Sequence, residues 1–253
     1  MINMDKREIA SLLLKAQDEA KPVPEKYRQD FTLEEAYDVQ SLVKEEKEKQ
    51  GHRVIGKKIG FTSRGMRQQF NIDIPDYGNL FNDQIFAQGI VIDTSKFIKP
   101  RVEGEIAFLL KKDIIGPGVT IYDVLDATQG VMACLEFIDS RWNFNIAFLD
   151  SVADNGACGG FMLGSKMLDL KGLDLRYIAM FMTKNGELVH SGAGVEVMGD
   201  PVNAVVWLAN KLAEHNTHLK AGDIVLSGAI TASVPVDKGD CMNICFSELG
   251  NIE

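Results

Sequence analysis

The sequence predicts an α+β fold, and three observations point that way. Most of the chain after Gly51 consists of short apolar stretches separated by Gly, Pro, Asn and Asp, the texture of strands and turns. Helical periodicity is clear in only a few places, mainly before Gly51 and after Asp200. Helices and strands do not alternate strictly, which disfavours a doubly wound parallel sheet. The size agrees: 253 residues, 45% hydrophobic and 25% charged, suffice for one large core or for a core with a small appendage.

The first helix is predicted over residues 5–19, where Ile9, Leu12, Leu13 and Ala16 recur at helical spacing. A proline-containing link follows at Lys21-Pro22-Val23-Pro24. The second helix has a start signal: Thr32 can cap it, and Glu35 three residues later completes a capping box. Its apolar face is Ala36, Val39, Leu42 and Val43, and Lys44 to Lys49 reads as a solvated helix end. Residues 1–52 are thus predicted to be an N-terminal helical region, and residues 53–253 the core. Candidate strands in the core are Val54 to Ile59, Ile85 to Ile92, Ile106 to Leu110, Met132 to Ile138, Gly160 to Leu163, Leu175 to Thr183, Ile224 to Leu226 and Cys241 to Phe246. Thr120 to Thr128 is a short helix with Val124 and Leu125 facing inward. Asp200 to His215 is predicted as the clearest helix of the core, with Pro201 near its first turn and Val205, Leu208, Ala209 and Leu212 at helical spacing.

Charge and cysteine content narrow the function classes. A net charge of -9 speaks against nucleic-acid binding, which needs clustered Lys and Arg. No apolar run approaches the ~18 residues of a membrane span, and Leu12 to Leu14 is too short for a signal-peptide core. The expected location is therefore the cytoplasm. Cys134, Cys158, Cys241 and Cys245 form no CxxC pair and have no nearby histidine, so all four are expected to be buried free thiols.

Several segments carry polar groups where a fold alone does not require them. In Arg101-Val-Glu-Gly-Glu-Ile-Ala-Phe108, Glu103 and Glu105 are two apart at the start of a strand, so both carboxylates share one face. Two such charges side by side need a cation or a shared proton if buried. The alternative is an edge strand with a polar face. Glu136 interrupts the apolar stretch Val131 to Ile138, where a charge is costly unless paired or coordinated, and Arg141 or a lysine could be its partner. Asp139 and Arg141 follow where that strand ends, a usual place for functional groups. Lys57 and Lys58 point to opposite faces of one strand, so one of them can face inward. Asp150-Ser-Val-Ala-Asp-Asn155 precedes a glycine cluster, and Ala221 to Thr231 ends in a loop able to offer backbone N–H groups to an anion. There is no HExxH, no GxSxG and no P-loop.

Taken together these segments resemble the fumarylacetoacetate hydrolase superfamily. The nearest branch is that of the 2-hydroxypentadienoate (2-oxopent-4-enoate) hydratases and 4-oxalocrotonate decarboxylases. The resemblance rests on Ala36-Tyr37 and Gln40, Lys58-Ile-Gly60 with Thr62-Ser63, Pro75-Asp-Tyr-Gly78, Pro100 to Phe108, Leu135-Glu136 and Ile138 to Arg141. It continues through Val152 to Asn155, Pro201 to Ala204 with Trp207 to Ala209, and Gly222 to Gly228. It implies a mixed β-sheet roll or sandwich core with peripheral helices. It implies a metal site of Glu103, Glu105 and Glu136 holding Mg2+, with Mn2+ as substitute. It assigns Lys58 and Asp76 to substrate contact and proton transfer, groups Asp139 with the catalytic residues and, like Arg141, in the wall beside the metal, and gives Arg141, Ser227 and Thr231 to substrate binding.

The activity implied is a lyase of meta-cleavage degradation of aromatic compounds. Its first form is a hydratase adding water to 2-hydroxypenta-2,4-dienoate to give 4-hydroxy-2-oxopentanoate; its second is a decarboxylase acting on 2-oxohex-3-enedioate. The substrate is a small anionic 2-oxo acid. The resemblance also implies a homo-oligomer and association with a partner hydratase or decarboxylase. One departure bears on the chemistry: the hydratases of this branch usually continue Ala-Asp-Asn with Ala-Ser, and here Gly156 and Ala157 follow.

Overall fold

A curled eight-stranded mixed sheet and a four-stranded antiparallel sheet form the body of the molecule. The structure is a computed structural model, and it describes residues 4–144 and 147–253. The strands of the large sheet are β1 (Val54–Gly60), β2 (Asp76–Phe81), β3 (Ile85–Phe86), β4 (Arg101–Leu110), β5 (Thr128–Ile138) and β6 (Cys158–Leu168), joined later by β9 (Ile224–Leu226) and β10 (Val234–Pro235). Their order is β2-β1-β9-β4-β5-β6-β3, with β10 pairing β4. The small sheet contains β7 (Ala179–Lys184), β8 (Glu187–Ala193), β11 (Met242–Phe246) and β12 (Gly250–Ile252), in the order β12-β11-β7-β8. In the large sheet β1 and β9 run parallel, as do β3 and β6, and the other pairs are antiparallel.

The helices are α1 (Lys6–Glu19), α2 (Leu33–Lys49), α3 (Arg64–Phe70), α4 (Ile121–Ala127), α5 (Phe148–Ala153) and α6 (Pro201–Ala213). The helix start at Thr32 forms as its sequence dictates: Thr32 Oγ1 accepts from Glu35 N (3.2 Å), and Glu35 Oε2 accepts from Thr32 N (2.9 Å). Asp200 caps α6 through Val202 N (3.0 Å), with Pro201 at the first helical position. Ile9, Leu13 and Ala16 of α1 and Ala36, Val39 and Val43 of α2 belong to the same buried cluster as Phe108, Val131, Leu208 and Ile252. The N-terminal helices therefore share the core of the sheets.

The structure corrects several sequence-based expectations. Lys47 is not solvated: it is 5% exposed, lies over the Phe81 ring and pairs with Asp83 at 3.3 Å. Val124 of α4 is buried, but Leu125 faces outward. The strand predicted over Ile85 to Ile92 is only two residues long, because the backbone at Gly89 turns to positive φ. Leu175 to Tyr177 forms a 3-10 turn capped by Asp174, so β7 starts at Ala179. Cys134 and Cys158 are buried thiols, whereas Cys241 lies before β11 and is exposed, and Cys245 is half-buried.

The two faces of the large sheet have different tasks. A Cβ at Gly104 would lie 3.1 Å from Met180 Cε and 3.2 Å from Ile244 Cγ2, so this face of β4 packs directly on the small sheet. Val102, Ile106 and Phe108 share that face by the period of two and are fully buried. The glycine between the two glutamates thus permits a close sheet-on-sheet approach. Glu103 and Glu105 point the other way.

Candidate metal centre and active site

On the other face of the sheet, strand register gathers the charged residues. Glu103 of β4 stands directly opposite Glu136 of β5, and Glu105 opposite Cys134. Across the sheet Ala107 pairs with Leu226, and Leu226 with Lys58, so Lys58 shares the face of the glutamates. Gly60 pairs with Asp76, which brings the Asp76 side chain to the same face. Each glutamate of the trio offers a carboxylate oxygen within 4.8 Å of the other two. Glu105 and Glu136 are buried, and Glu103 is only partly so, on the open side of the cluster. At that separation two carboxylates repel by at least about 3 kcal/mol for an effective dielectric near ~20.

The protein offsets this repulsion only in part. Lys58 is 4% exposed, and its Nζ lies 3.4 Å from Glu136 Oε1. Nζ also donates to the carbonyl of Gly156 at 3.0 Å. Gly228 N donates to Glu105 Oε2 at 2.8 Å, so the loop after β9 does offer a backbone N–H to an anion, and that anion is a glutamate of the site. Ser151 Oγ donates to Asp76 Oδ2 at 3.1 Å. Among the described residues, Glu105 Oε1, Glu136 Oε2, Asp76 Oδ1 and Ser227 Oγ are buried without a hydrogen-bond partner, and Glu136 Oε1 has only its ion pair with Lys58.

The proton affinities follow from this arrangement. Burial, then the charge of Glu136, raises Glu103 to about 7 and Glu105 well above the usual carboxylate range. Burial also raises Glu136 and Asp76, against the pull of the nearby Lys58 charge. Burial alone would lower Lys58. The charges of Glu136, Asp76, Glu103 and Glu105 outweigh it and hold Lys58 protonated beyond its ordinary range.

Orphaned, acceptor-only oxygens in one buried cluster fit a hard divalent cation. Three carboxylates supply an oxygen-only donor set, with no nitrogen or sulfur ligand that would favour zinc. Cys134 lies opposite Glu105, but burial and the adjacent carboxylates push its thiol further up and keep it protonated.

The other predicted site residues are placed as follows. Asp139 does not turn to the cluster: its oxygens accept from Ile98 N (2.9 and 3.1 Å) and Lys99 N (2.7 Å). Arg141 is 4% exposed and engaged with Asp154, and its Nη1 donates to the Cys158 carbonyl at 2.9 Å. Backbone groups hold the Asp139 carboxylate, and a buried acid and a carbonyl hold the Arg141 guanidinium. Ser227 is fully buried beside Gly228. Thr231 is half-buried, with its methyl near Gly192 of β8 and its hydroxyl 3.4 Å from the Ala232 carbonyl. Of the two lysines Lys58 faces the site, and Lys57 donates to Asn79 Oδ1 on the opposite face. Sequence reasoning assigned no role to Ser151, Gly156 or Gly228. Each lies in a segment it singled out, but only their contacts reveal what they do.

A family description, the fumarylacetoacetate (FAA) hydrolase C-terminal domain, matches residues 60–253. The chain belongs to the fumarylacetoacetate hydrolase family. It is 43% identical over 224 residues to a 2-hydroxyhexa-2,4-dienoate hydratase of Comamonas testosteroni, covering 87% of this chain and 85% of that one. It is 42% identical over 224 residues to a 4-oxalocrotonate decarboxylase of a Pseudomonas species (strain CF600), covering 88% and 85%. Among solved structures it superposes on 4-oxalocrotonate decarboxylase from Pseudomonas putida G7, complexed with magnesium and adipate. The TM-score is 0.93 at 35% identity, over 100% of this chain and 98% of that one. These relatives of the fumarylacetoacetate hydrolase family are lyase-type enzymes, and the chain is an enzyme of that type.

Proposed function

We propose that this protein is a divalent-metal-dependent hydratase that adds water to 2-hydroxypenta-2,4-dienoate to give 4-hydroxy-2-oxopentanoate. One observation supports it above the others: three convergent carboxylates, two of them (Glu105 and Glu136) with buried oxygens that accept no hydrogen bond, stand beside one buried ammonium, Lys58, and a further buried acid, Asp76. Glu103, Glu105 and Glu136 would hold Mg2+, with Mn2+ as a substitute. When bound, the ion supplies positive charge for the substrate's carboxylate and for the electron density that gathers on its 2-oxygen.

The residues of this chain then manage protons and position. The dienol loses its O–H proton and gains one at C5, giving 2-oxopent-3-enoate. The oxygen of water adds at C4, the water gives up one proton, and one proton is delivered to C3, so the atoms balance to the 4-hydroxy-2-oxo acid. Lys58, held as an ammonium between Glu136 and Gly156, carries a proton at the edge of the cluster. Asp76 keeps its proton to higher pH than an exposed aspartate, and Ser151 fixes one of its oxygens. These two are the proton-transfer pair. Ser227, whose buried hydroxyl has no hydrogen-bond partner among the described residues, would meet the substrate carboxylate.

The second reading is a 4-oxalocrotonate decarboxylase, favoured by the decarboxylase relative at 42% identity. Loss of the distal carboxylate of 2-oxohex-3-enedioate would use the same electron sink. The segments Arg101-Val-Glu-Gly-Glu and Asp150 to Asn155 place the hydratase first. A homo-oligomer, association with a partner hydratase or decarboxylase, and a cytoplasmic location complete the reading. Metal-loaded protein should deplete the dienol absorbance of 2-hydroxypenta-2,4-dienoate without CO2 release. No turnover there, together with CO2 from 2-oxohex-3-enedioate, would reverse the order of the two readings.

A further inference from the structure

Lys58 is aimed by an acceptor, the Gly156 carbonyl. That carbonyl lies in a run of three left-handed residues: Asn155, Gly156 and Ala157 have φ of 55°, 63° and 54°. Local preference does not maintain such a run in L-residues, so surrounding contacts must hold it. The Asn155 amide makes them. Its Oδ1 accepts from Asn79 N (2.7 Å) and from Asn79 Nδ2 (3.2 Å), and its Nδ2 donates to the Asn79 carbonyl (2.9 Å). The amide thus pairs with the backbone of β2 as a neighbouring strand would.

Behind Asn79 stands Gln40 of α2. Asn79 Nδ2 lies 3.5 Å from Gln40 Oε1. Gln40 Nε2 donates to the carbonyls of Tyr77 (2.9 Å) and Val152 (2.8 Å). Tyr77 adjoins Asp76 and Val152 adjoins Ser151, whose side chains bond each other across the site. Gln40, Asn79 and Asn155 are 3%, 3% and 5% exposed, so water competes little for these bonds.

We propose that Asn155, backed by Asn79 and Gln40, is a positioning residue that holds the Gly156 carbonyl and thereby aims the Lys58 ammonium at the carboxylate cluster. The proposal rests on the proton-transfer role given to Lys58 above. Asn155 acts through Lys58: its own amide bonds Asn79, and no hydrogen bond links it to Glu103, Glu105 or Glu136 among the described residues. Asn155→Gly keeps the left-handed backbone and removes the amide. Asn155→Asp keeps the acceptor for Asn79 N and loses the donor to the Asn79 carbonyl.

For Asn155→Gly, kcat should fall at least about tenfold, with KM and the Mn2+ dissociation constant within about twofold of wild type, the pattern of a lost transition-state contact. Asn155→Asp should fall between the two. In 15N-lysine NMR, the slowly exchanging ammonium signal of Lys58 should be present in wild type and lost in Asn155→Gly. Unchanged kcat in folded Asn155→Gly would overturn the proposal. So would a parallel loss of Mn2+ affinity, which marks a general structural role. If Asn155→Gly does not fold, Asn155→Asp is judged by the same readouts. If wild type turns over neither diene substrate, the functional reading fails, and the Lys58 signal alone decides: its persistence in Asn155→Gly rejects positioning, and its loss supports it.

Discussion

A carboxylate buried among carboxylates is tolerated only when positive charge or a proton stands beside it. Glu105 has one hydrogen-bond donor among the described residues, Gly228 N, and one orphaned oxygen. Replacing it with Gln removes a charge and a ligand, so divalent-metal affinity should fall by at least about tenfold, as measured by titration of chelator-treated protein. Undiminished affinity would place the ion elsewhere. Glu103 carries a pH signature. Its folded value of about 7 lies above the ~4.3 of a free glutamate. The folded, metal-free protein therefore binds this proton more tightly than the unfolded chain does. The group is neutral for stability below the unfolded pKa and grows destabilising as pH rises toward and through about 7. Glu103→Gln should raise the Tm of metal-free protein near pH ~8, and the gain should shrink to nothing toward pH ~4.5. A gain independent of pH would contradict this account.

Strand pairing is what turns scattered acids into a site. Glu103 and Glu105 share a face by the period of two, and antiparallel register places Glu136 across from Glu103. A one-residue slip of β5 would send Glu136 into the small-sheet interface. The loop after β9 is held as tightly. Gly228 has φ +108°, and a Cβ there would meet Thr62 Oγ1 at 2.2 Å and Cγ2 at 2.5 Å. Gly228→Ala should therefore destabilise the fold by about 2 kcal/mol. It should also weaken metal binding, because the displaced N–H belongs to Glu105. Thermal melts with and without metal separate the two effects; a stability loss with unaltered metal affinity would show that the Gly228–Glu105 bond is dispensable.

In the whole molecule the large sheet divides two environments. One face packs on the small sheet through Gly104, and the other collects charge. Metal binding should therefore act on the fold as a whole. At a free concentration about 100-fold above its dissociation constant, Mg2+ should stabilise the native state by about 2.7 kcal/mol. For a chain of this size that is a Tm rise of roughly 5–10 °C. Glu105→Gln should lose most of it, and an equal rise in that variant would point to a different site. Much of this molecule was legible in its sequence: the Thr32 capping box, the Pro201 helix, the strand at Ile224 to Leu226, and the shared face of Glu103 and Glu105 all write local rules of spacing and periodicity, whereas Glu136 joined them through the family resemblance. Asp139 and Arg141 were legible as polar residues at a strand end, but not as scaffold, since that depends on Ile98, Lys99, Asp154 and Cys158 meeting them in space. The same holds for Lys47, which composition places in water and the fold places on Phe81. The sequence alone determined which residues can bear charge on a common strand face, because side-chain direction follows from chain geometry. Only the tertiary structure decided which of them lose water together, because burial and hydrogen-bond partners come from segments as distant as Gln40 and Val152.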